Sequence, residues 1–285
     1  MNKPTIGLIG QGYIGKNYAD DFEKRGFSVV RYSLEEPYNG NKEKIKKCDI
    51  VFVAVPTPTT PKGFDASIIE EALKLVPDGV ITVIKSTILP GTTKHLQNLY
   101  PNLTILVSPE FLSEATAAYD AANPFSNIVG TPEDSERHQK AARFVQSILP
   151  KAPFTLTCDS DEAEIIKYAH NGSGYVQVVF FNMMYDLART MGHDWSKIGE
   201  ALKADTLISN RYANPIHKSG RGAGGHCFIK DIAAIRELYV RVVPEDKIGL
   251  TFLSALEGKN INLLIDSGKD LDLLKDVYGN EIIDR

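Results

Sequence analysis

The run Gly220-Arg221-Gly222-Ala223-Gly224-Gly225-His226-Cys227-Phe228-Ile229-Lys230-Asp231 brings a nucleophile, a cation and a carboxylate close together behind a glycine-rich loop. The glycines permit sharp turns and a close backbone approach to a ligand. Ile232, Ile235, Leu238 and Tyr239 repeat at helical spacing over Ile232–Val240. A helix beginning near His226 puts Cys227 in its first turn, where unpaired N–H groups and the positive dipole end stabilise a thiolate. Lys230 and Asp231 follow at helical spacing and share that face. The same residues also fit a tight turn around a buried, inert thiol. A second pair, Lys167 and Asn171, stands one turn apart on a helix predicted over Glu162–Met191. Ile165, Ile166, Tyr168 and Ala169 surround Lys167, which suggests partial burial; an exposed, solvated stripe is the alternative. Thr57, Thr59, Ser86, Thr87, Glu110 and Glu114 form a third group at predicted strand ends. Singly they read as helix caps; together they line the sheet edge where α/β proteins hold ligands. Asn210, Arg211, Tyr212 and Asn214, in the irregular stretch Asp205–Ser219, are candidate substrate contacts.

These residues need a frame. A β-rich run, Thr5–Ile9, ends in Gly10-Gln11-Gly12-Tyr13-Ile14-Gly15 and is followed by an amphipathic helix to about Arg25, a stop at Gly26 and a strand over Phe27–Tyr32. Strand, G-x-G-x-x-G, helix, strand is the context of a dinucleotide site, with the pyrophosphate on the helix N-terminus. The acid that normally holds the adenosine ribose is absent: its place falls at Tyr32 or Ser33, with Arg31 before it and Glu35 and Glu36 past the strand end. Arg31 and Ser33 suit a 2′-phosphate, which keeps NADP beside NAD, while Arg31 also reads as a solvated strand residue. Further strands are expected at Ile50–Val55, Val80–Lys85, Leu103–Val107, Ser126–Val129 and Phe154–Thr157. Helices fall between them at Ala66–Leu75, after Pro90-Gly91-Thr92-Thr93, and at Thr131–Leu149. This alternation specifies an α/β fold, a doubly wound, Rossmann-like parallel sheet over residues 1–158. Residues 159–285 read as a mainly α-helical domain, with further helices at Trp195–Leu202 and Pro244–Leu264 and a charged, weakly periodic stretch over 266–285.

Composition narrows the function classes. With 285 residues, 43% hydrophobic and 24% charged, the chain suits one large or two ordinary soluble domains. A net charge of −4 gives no support to a nucleic-acid or polyanion partner. Three widely spaced cysteines, Cys48, Cys158 and Cys227, make neither a disulfide framework nor a metal knuckle, which points to a reducing, cytoplasmic compartment. A strand begins within a few residues of the N-terminus, leaving no room for a signal peptide. The most apolar helix, around Tyr175–Ala188, is interrupted by Gln177, Asn182 and Asp186 and reads as a core helix rather than a membrane span.

Six blocks then reach a family: Gly10-x-Gly12-Tyr13-Ile14-Gly15, Val55-Pro56-Thr57-Pro58-Thr59, Lys85-Ser86-Thr87, Ser108-Pro109-Glu110-Phe111-Leu112-x-Glu114, Lys167-x-x-x-Asn171 and Gly224-Gly225-x-Cys227-Phe228-x-Lys230-Asp231. Their order and separations resemble the UDP-glucose/GDP-mannose dehydrogenase family. The resemblance implies NAD-dependent oxidation of a nucleotide-sugar primary alcohol to the carboxylate, using two cofactors in turn. It implies Cys227 as nucleophile, Lys167 and Asn171 as oxyanion stabilisers, Asp231 and Thr87 as water-positioning groups and Glu110 as general base or water-orienting group. On the cofactor it implies Gly10, Gly12, Tyr13, Ile14, Gly15, Ser33, Pro56, Thr57, Ser86, Thr87, Glu114 and Lys230. On the sugar nucleotide it implies Phe111, Leu112, Lys167, Asn171, Arg211, Tyr212 and Gly224. No metal site is implied. His226 stands where a small residue is common, which leaves the sugar open. The family's third, nucleotide-sugar-binding domain is not expected within this chain, and the family's dimer through the central helices is, with Pro244–Leu264 as a possible face.

Overall fold

The computed structural model describes residues 3–218 and 220–284. Two compact units emerge, Met1–Thr57 with Asp65–Lys167, and Pro58–Phe64 with Tyr168–Arg285. The division falls inside the helix Ser160–Thr190, whereas the sequence reading placed the domain boundary after residue 158.

The first unit is built on seven strands: β1 (Thr5–Ile9), β2 (Ser28–Tyr32), β3 (Ile50–Val53), β4 (Ile81–Ile84), β5 (Thr104–Val107), β6 (Ser126–Thr131) and β7 (Phe154–Asp159). They lie in the order β2-β1-β3-β4-β5-β6-β7. From β2 to β5 every pairing is parallel. All residues of β3 and β5 are buried, which is why they read as unbroken apolar runs. The expected Rossmann-like sheet therefore forms, with one departure: β6 runs antiparallel to β5, and β7 follows β6 in parallel. The segment between β5 and β6 holds only the short helix Ala117–Ala122, which packs on Tyr13–Lys24 and supplies no crossover long enough to restore the strand direction. Phe22, Phe52, Leu106, Val129 and Val145 join strands and helices in one core.

The second unit is helical: most of Ser160–Thr190, then Trp195–Ala204, Gly225–Val242, Lys247–Ser267 and Leu271–Tyr278. A small hairpin, Thr59–Thr60 with Gly63–Phe64, belongs to it, as does a pairing of Ile216–His217 with Gly220–Arg221. The stretch read as charged and weakly periodic contributes to the core within its described residues, 266–284. Leu274, Val277 and Ile282 pack with Ile229, Ala233, Ile261 and Leu264. Among the described residues no helix is long and apolar enough to cross a membrane.

Candidate active site

In the first unit the chemistry gathers at the C-terminal ends of β1, β3, β4 and β5. The turn after β1 separates the roles of its three glycines. Gly10 has φ +94°, and a Cβ there would lie 2.2 Å from the Ala54 carbonyl oxygen; one on Gly15 would lie 1.9 Å from the Gly10 oxygen. Those two are demanded by the turn and by helix packing. At Gly12, the N-cap of helix Tyr13–Lys24, nothing lies within 4 Å. That open approach to a helix N-terminus, with no acid in its first turn, fits a dinucleotide pyrophosphate. Ile14 packs into the core, and the Tyr13 carbonyl accepts from Asn17 Nδ2 at 2.6 Å.

Arg31 corrects an expectation. It is 8% exposed and not a solvated strand residue: Nη2 meets Asp20 at 2.6 Å and Glu23 at 2.7 Å, and Nε donates to Glu23 at 3.0 Å. Its charge is taken up inside the unit, which removes the cation expected for a 2′-phosphate. Ser33 Oγ donates to the Glu35 carbonyl.

The loops after β3 and β4 are laced together. Thr57 Oγ1 donates to the Thr87 carbonyl at 2.7 Å, and Ser86 Oγ donates to the Val55 carbonyl at 2.7 Å. These hydroxyls do not cap helices; they fix two strand-end loops of the first unit against each other. After β5, Glu110 is 1% exposed and Lys167, on the long helix, 4%. Lys167 Nζ donates to Glu110 Oε1 at 2.9 Å and to its carbonyl at 2.6 Å, while the Leu112 N–H donates to Oε2 at 2.7 Å. Lys167 thus takes the buried alternative, and its Nζ also stands 5.5 Å from the Phe111 ring. Glu114 is exposed just before Ala117–Ala122.

Lys85 stands in one of the motif blocks, where the sequence reading gave it no role. It is 3% exposed, donates to Ser108 Oγ at 3.1 Å and lies 4.3 Å from the Tyr18 ring centroid. Burial, helped by the Lys167 ammonium and opposed by Glu110, pushes its amine down to about 7. Glu164 was also missed. It is buried and caps the helix Thr92–Leu99 from outside, accepting from the Gly91 and Thr93 N–H groups and the Thr93 hydroxyl.

In the second unit Cys227 is the third residue of the helix Gly225–Val242 and is half-buried. The other two thiols are pushed up to about 11, chiefly by burial. One turn on from Cys227, Asp231 is 2% exposed; its Oδ2 accepts from Asn171 Nδ2 at 2.6 Å and its Oδ1 from Lys230 Nζ at 2.6 Å. A cavity of about 10 Å³, the scale of one water, lies among Tyr168, Asn171, Gly172, Phe228, Asp231 and Ile235. Tyr212 packs on Gly174 and sits 5.7 Å from the Phe228 ring, whereas Arg211 is exposed. Among the described residues no group of three or more His, Cys, Asp or Glu could hold a metal ion.

The glycine loop before Cys227 is shaped by the chain's own later residues. The Asn260 side chain bonds both backbone groups of Ala223, at 2.6 and 2.9 Å. Lys269 Nζ donates to the Gly222 carbonyl at 2.8 Å, Asp270 Oδ2 accepts from the Gly225 N–H at 2.8 Å, and Ser267 Oγ accepts from the Arg221 N–H at 2.9 Å. A Cβ on Gly220 would strike Ser267, and one on Gly224 would strike Asp270. The close approach that the glycines allow is, at these positions, to residues 260–270.

Two family models match regions of the chain. Residues 36–148 match the UDP-glucose/GDP-mannose dehydrogenase family's NAD binding domain and residues 161–260 match its central domain. A UDP-glucose 6-dehydrogenase of Streptococcus pneumoniae is 32% identical over 284 residues, spanning 85% of this chain and 70% of the relative. The chain belongs to the UDP-glucose/GDP-mannose dehydrogenase family. Its first unit carries the family's NAD binding domain, although the matched region begins after the glycine turn. The UDP-glucose 6-dehydrogenase AglM of Haloferax volcanii is 26% identical, spanning 81% of this chain and 64% of the relative. Against five of its curated relatives this family member spans between 34% and 64% of their length. A UDP-glucose dehydrogenase structure from Pyrobaculum islandicum superposes with a TM-score of 0.76 at 24% identity, covering 98% of this chain and 72% of the other, a likeness of fold.

Proposed function

We propose that the protein is an NAD-dependent UDP-glucose 6-dehydrogenase-like oxidoreductase, oxidising the C6 alcohol of a nucleotide sugar to the uronic acid. The observation that carries this reading is Cys227 in a helix first turn, one turn ahead of the buried Asp231 with its Asn171 and Lys230 partners. The relatives named as UDP-glucose 6-dehydrogenases support the substrate class. NAD, when bound, supplies the hydride acceptor for both oxidations. The glycine turn with Gly12 at its mouth is the proposed pyrophosphate seat, and Tyr13, Ile14, Ser33, Pro56, Thr57, Ser86, Thr87, Glu114 and Lys230 are the proposed further cofactor contacts.

The chain's own residues then carry the covalent chemistry. Cys227 Sγ adds to the C6 aldehyde to give a thiohemiacetal, and its oxidation gives a thioester. Lys167 and Asn171 stabilise the oxyanions formed on the way. Asp231 and Thr87 position the hydrolytic water, and Glu110, held by Lys167, orients or deprotonates it. Phe111, Leu112, Arg211, Tyr212 and Gly224 contact the sugar nucleotide. The protein is proposed to act in the cytoplasm as a homodimer. Val176, Phe180, Met183 and Leu187 form an exposed apolar stripe along one helix, and Ile248 and Phe252 form another, surfaces that suit a second copy.

Reduced-cofactor formation at 340 nm with UDP-glucose, GDP-mannose and UDP-N-acetylmannosamine tests the reaction. About two NADH per sugar consumed is expected from the thioester route. One per sugar in the parent, or full acid formation by Cys227→Ser, would refute it.

A further inference from the structure

The nucleophile proposed above sits on a helix whose first turn is held by residues outside every motif block. Gly224 caps that helix without a side chain of its own. The first helical residue, Gly225, has φ +80° and gives its N–H to Asp270. Asp270 itself takes a left-handed conformation, φ 54°, as N-cap of Leu271–Tyr278, so it faces two helix starts at once. Aspartate is among the few non-glycine residues that adopt that region readily. Its neighbour Lys269 is 5% exposed, and its ammonium is spent on the Gly222 carbonyl. A lysine buried to that extent needs a task. At Gly222, φ +88°, a Cβ would lie 3.0 Å from Asn260, 3.1 Å from Leu263 and 3.2 Å from Leu264, and the carbonyl meets Lys269. The two side chains clamp the backbone on either side of Ala223 and Gly224, directly before Cys227.

We infer that Lys269 and Asp270 are positioning residues for Cys227, holding the Gly222 carbonyl and the Gly225 N–H so that the first helical turn presents the thiol in one orientation. The inference rests on Cys227 being the reactive thiol of the proposed reaction. Its geometric content, a clamped first turn, is independent of any substrate. The clamp acts through hydrogen bonds. An asparagine at position 270 keeps an acceptor oxygen for Gly225, and an alanine keeps none.

The test compares Asp270→Ala, Asp270→Asn and Lys269→Met in the full chain, using iodoacetamide labelling of Cys227 read by peptide mapping, with turnover alongside. Cys48 and Cys158 are internal references, since their raised thiols label slowly. Loss of one hydrogen bond to a charged group should increase opening of the turn, and Cys227 labelling, by about tenfold in Asp270→Ala. A displaced nucleophile should lower kcat by about tenfold to a hundredfold, with KM little changed. The thiol would thus become more reactive to a small electrophile and less useful in turnover. Asp270→Asn should stay near the parent on both measures, and Lys269→Met should follow Asp270→Ala. Parental labelling in both Asp270→Ala and Lys269→Met would overturn the clamp. So would Asp270→Asn behaving like Asp270→Ala, which would mean that charge acts, or a matching rise at Cys48, which would mean general loosening. A parent that oxidises no nucleotide sugar would sink the proposed reaction, and the labelling comparison would still decide the clamp.

Discussion

Replacing Lys167 by Met should destabilise the protein strongly, and the size of the loss can be worked from the site. Lys167 and Glu110 are almost wholly buried and 2.9 Å apart. At that separation an effective dielectric near 20 gives about 6 kcal/mol of gross attraction, most of which offsets desolvation of the two charges. Removing one partner leaves the other's desolvation uncompensated, a change that typically costs about 3–5 kcal/mol. Two features set the value near the lower end. Glu110 keeps the Leu112 N–H, and the Lys85 amine nearby can take a proton and supply part of the missing charge. The expected loss is about 3 kcal/mol, measured by urea unfolding followed by far-ultraviolet circular dichroism. Adding Glu110→Met to the same chain should recover at least half of it, because two well-packed apolar groups can replace a buried pair at little cost. A single-variant loss below about 1 kcal/mol, the range of an exposed pair, would refute the reasoning, as would a double variant whose losses simply add.

Three more outcomes are expected. Burial lowers the Lys85 amine from 10.5 to about 7, so the unfolded chain binds the extra proton between those values. Stability should therefore rise with pH across that window, and Lys85→Met should flatten the rise in thermal melts at pH 7 to 10; an unchanged slope would count against a buried neutral amine. Gly12→Ala should fold normally yet bind NADH at least about tenfold more weakly by fluorescence titration, whereas Gly15→Ala, clashing with the Gly10 carbonyl, should lose stability first. Equal behaviour of the two would contradict the division of roles among the glycines. Phe180→Glu, in the exposed stripe, should convert a dimer to a monomer in light scattering after size exclusion; an unchanged mass would move the interface elsewhere.

How far the fold could be read in advance depended on whether its cause was local. Buried parallel strands such as Ile50–Val53 announce themselves because both faces need apolar residues. The turn Gly10–Gly15 was legible because steric demands and ligand approach select glycine at fixed spacing. Lys167 was flagged by its apolar neighbours, but its partner stands 57 positions earlier in the chain, and no periodicity reports such a pairing. The same holds for Arg31, whose acids lie on the preceding helix. The reversal of β6 depends on how the segment before it packs, a tertiary matter. Leu271–Tyr278 is different: Leu271, Leu274, Val277 and Tyr278 do repeat at helical spacing, and the surrounding charges hid a signal that was present. Of the candidate site, Cys227 and the polar residues Asn171, Lys230 and Asp231 carried motif signatures, while Asn260, Lys269 and Asp270 had none, since their bonds are to backbone.

The loop that precedes Cys227 is finished by residues that leave the ribosome after it. Until Lys269 and Asp270 have emerged, the Gly222 carbonyl and the Gly225 N–H lack these side-chain partners, even though every motif residue is already synthesised. The first unit can fold while this happens, since domains generally fold as units in order of synthesis. A nascent chain arrested before residue 269 would carry the whole signature without the side chains that bond the Gly222 carbonyl and the Gly225 N–H. The same point bears on dissection: the region matching the central domain ends at residue 260, and a fragment cut there would discard Lys269 and Asp270 while keeping Cys227, Lys230 and Asp231.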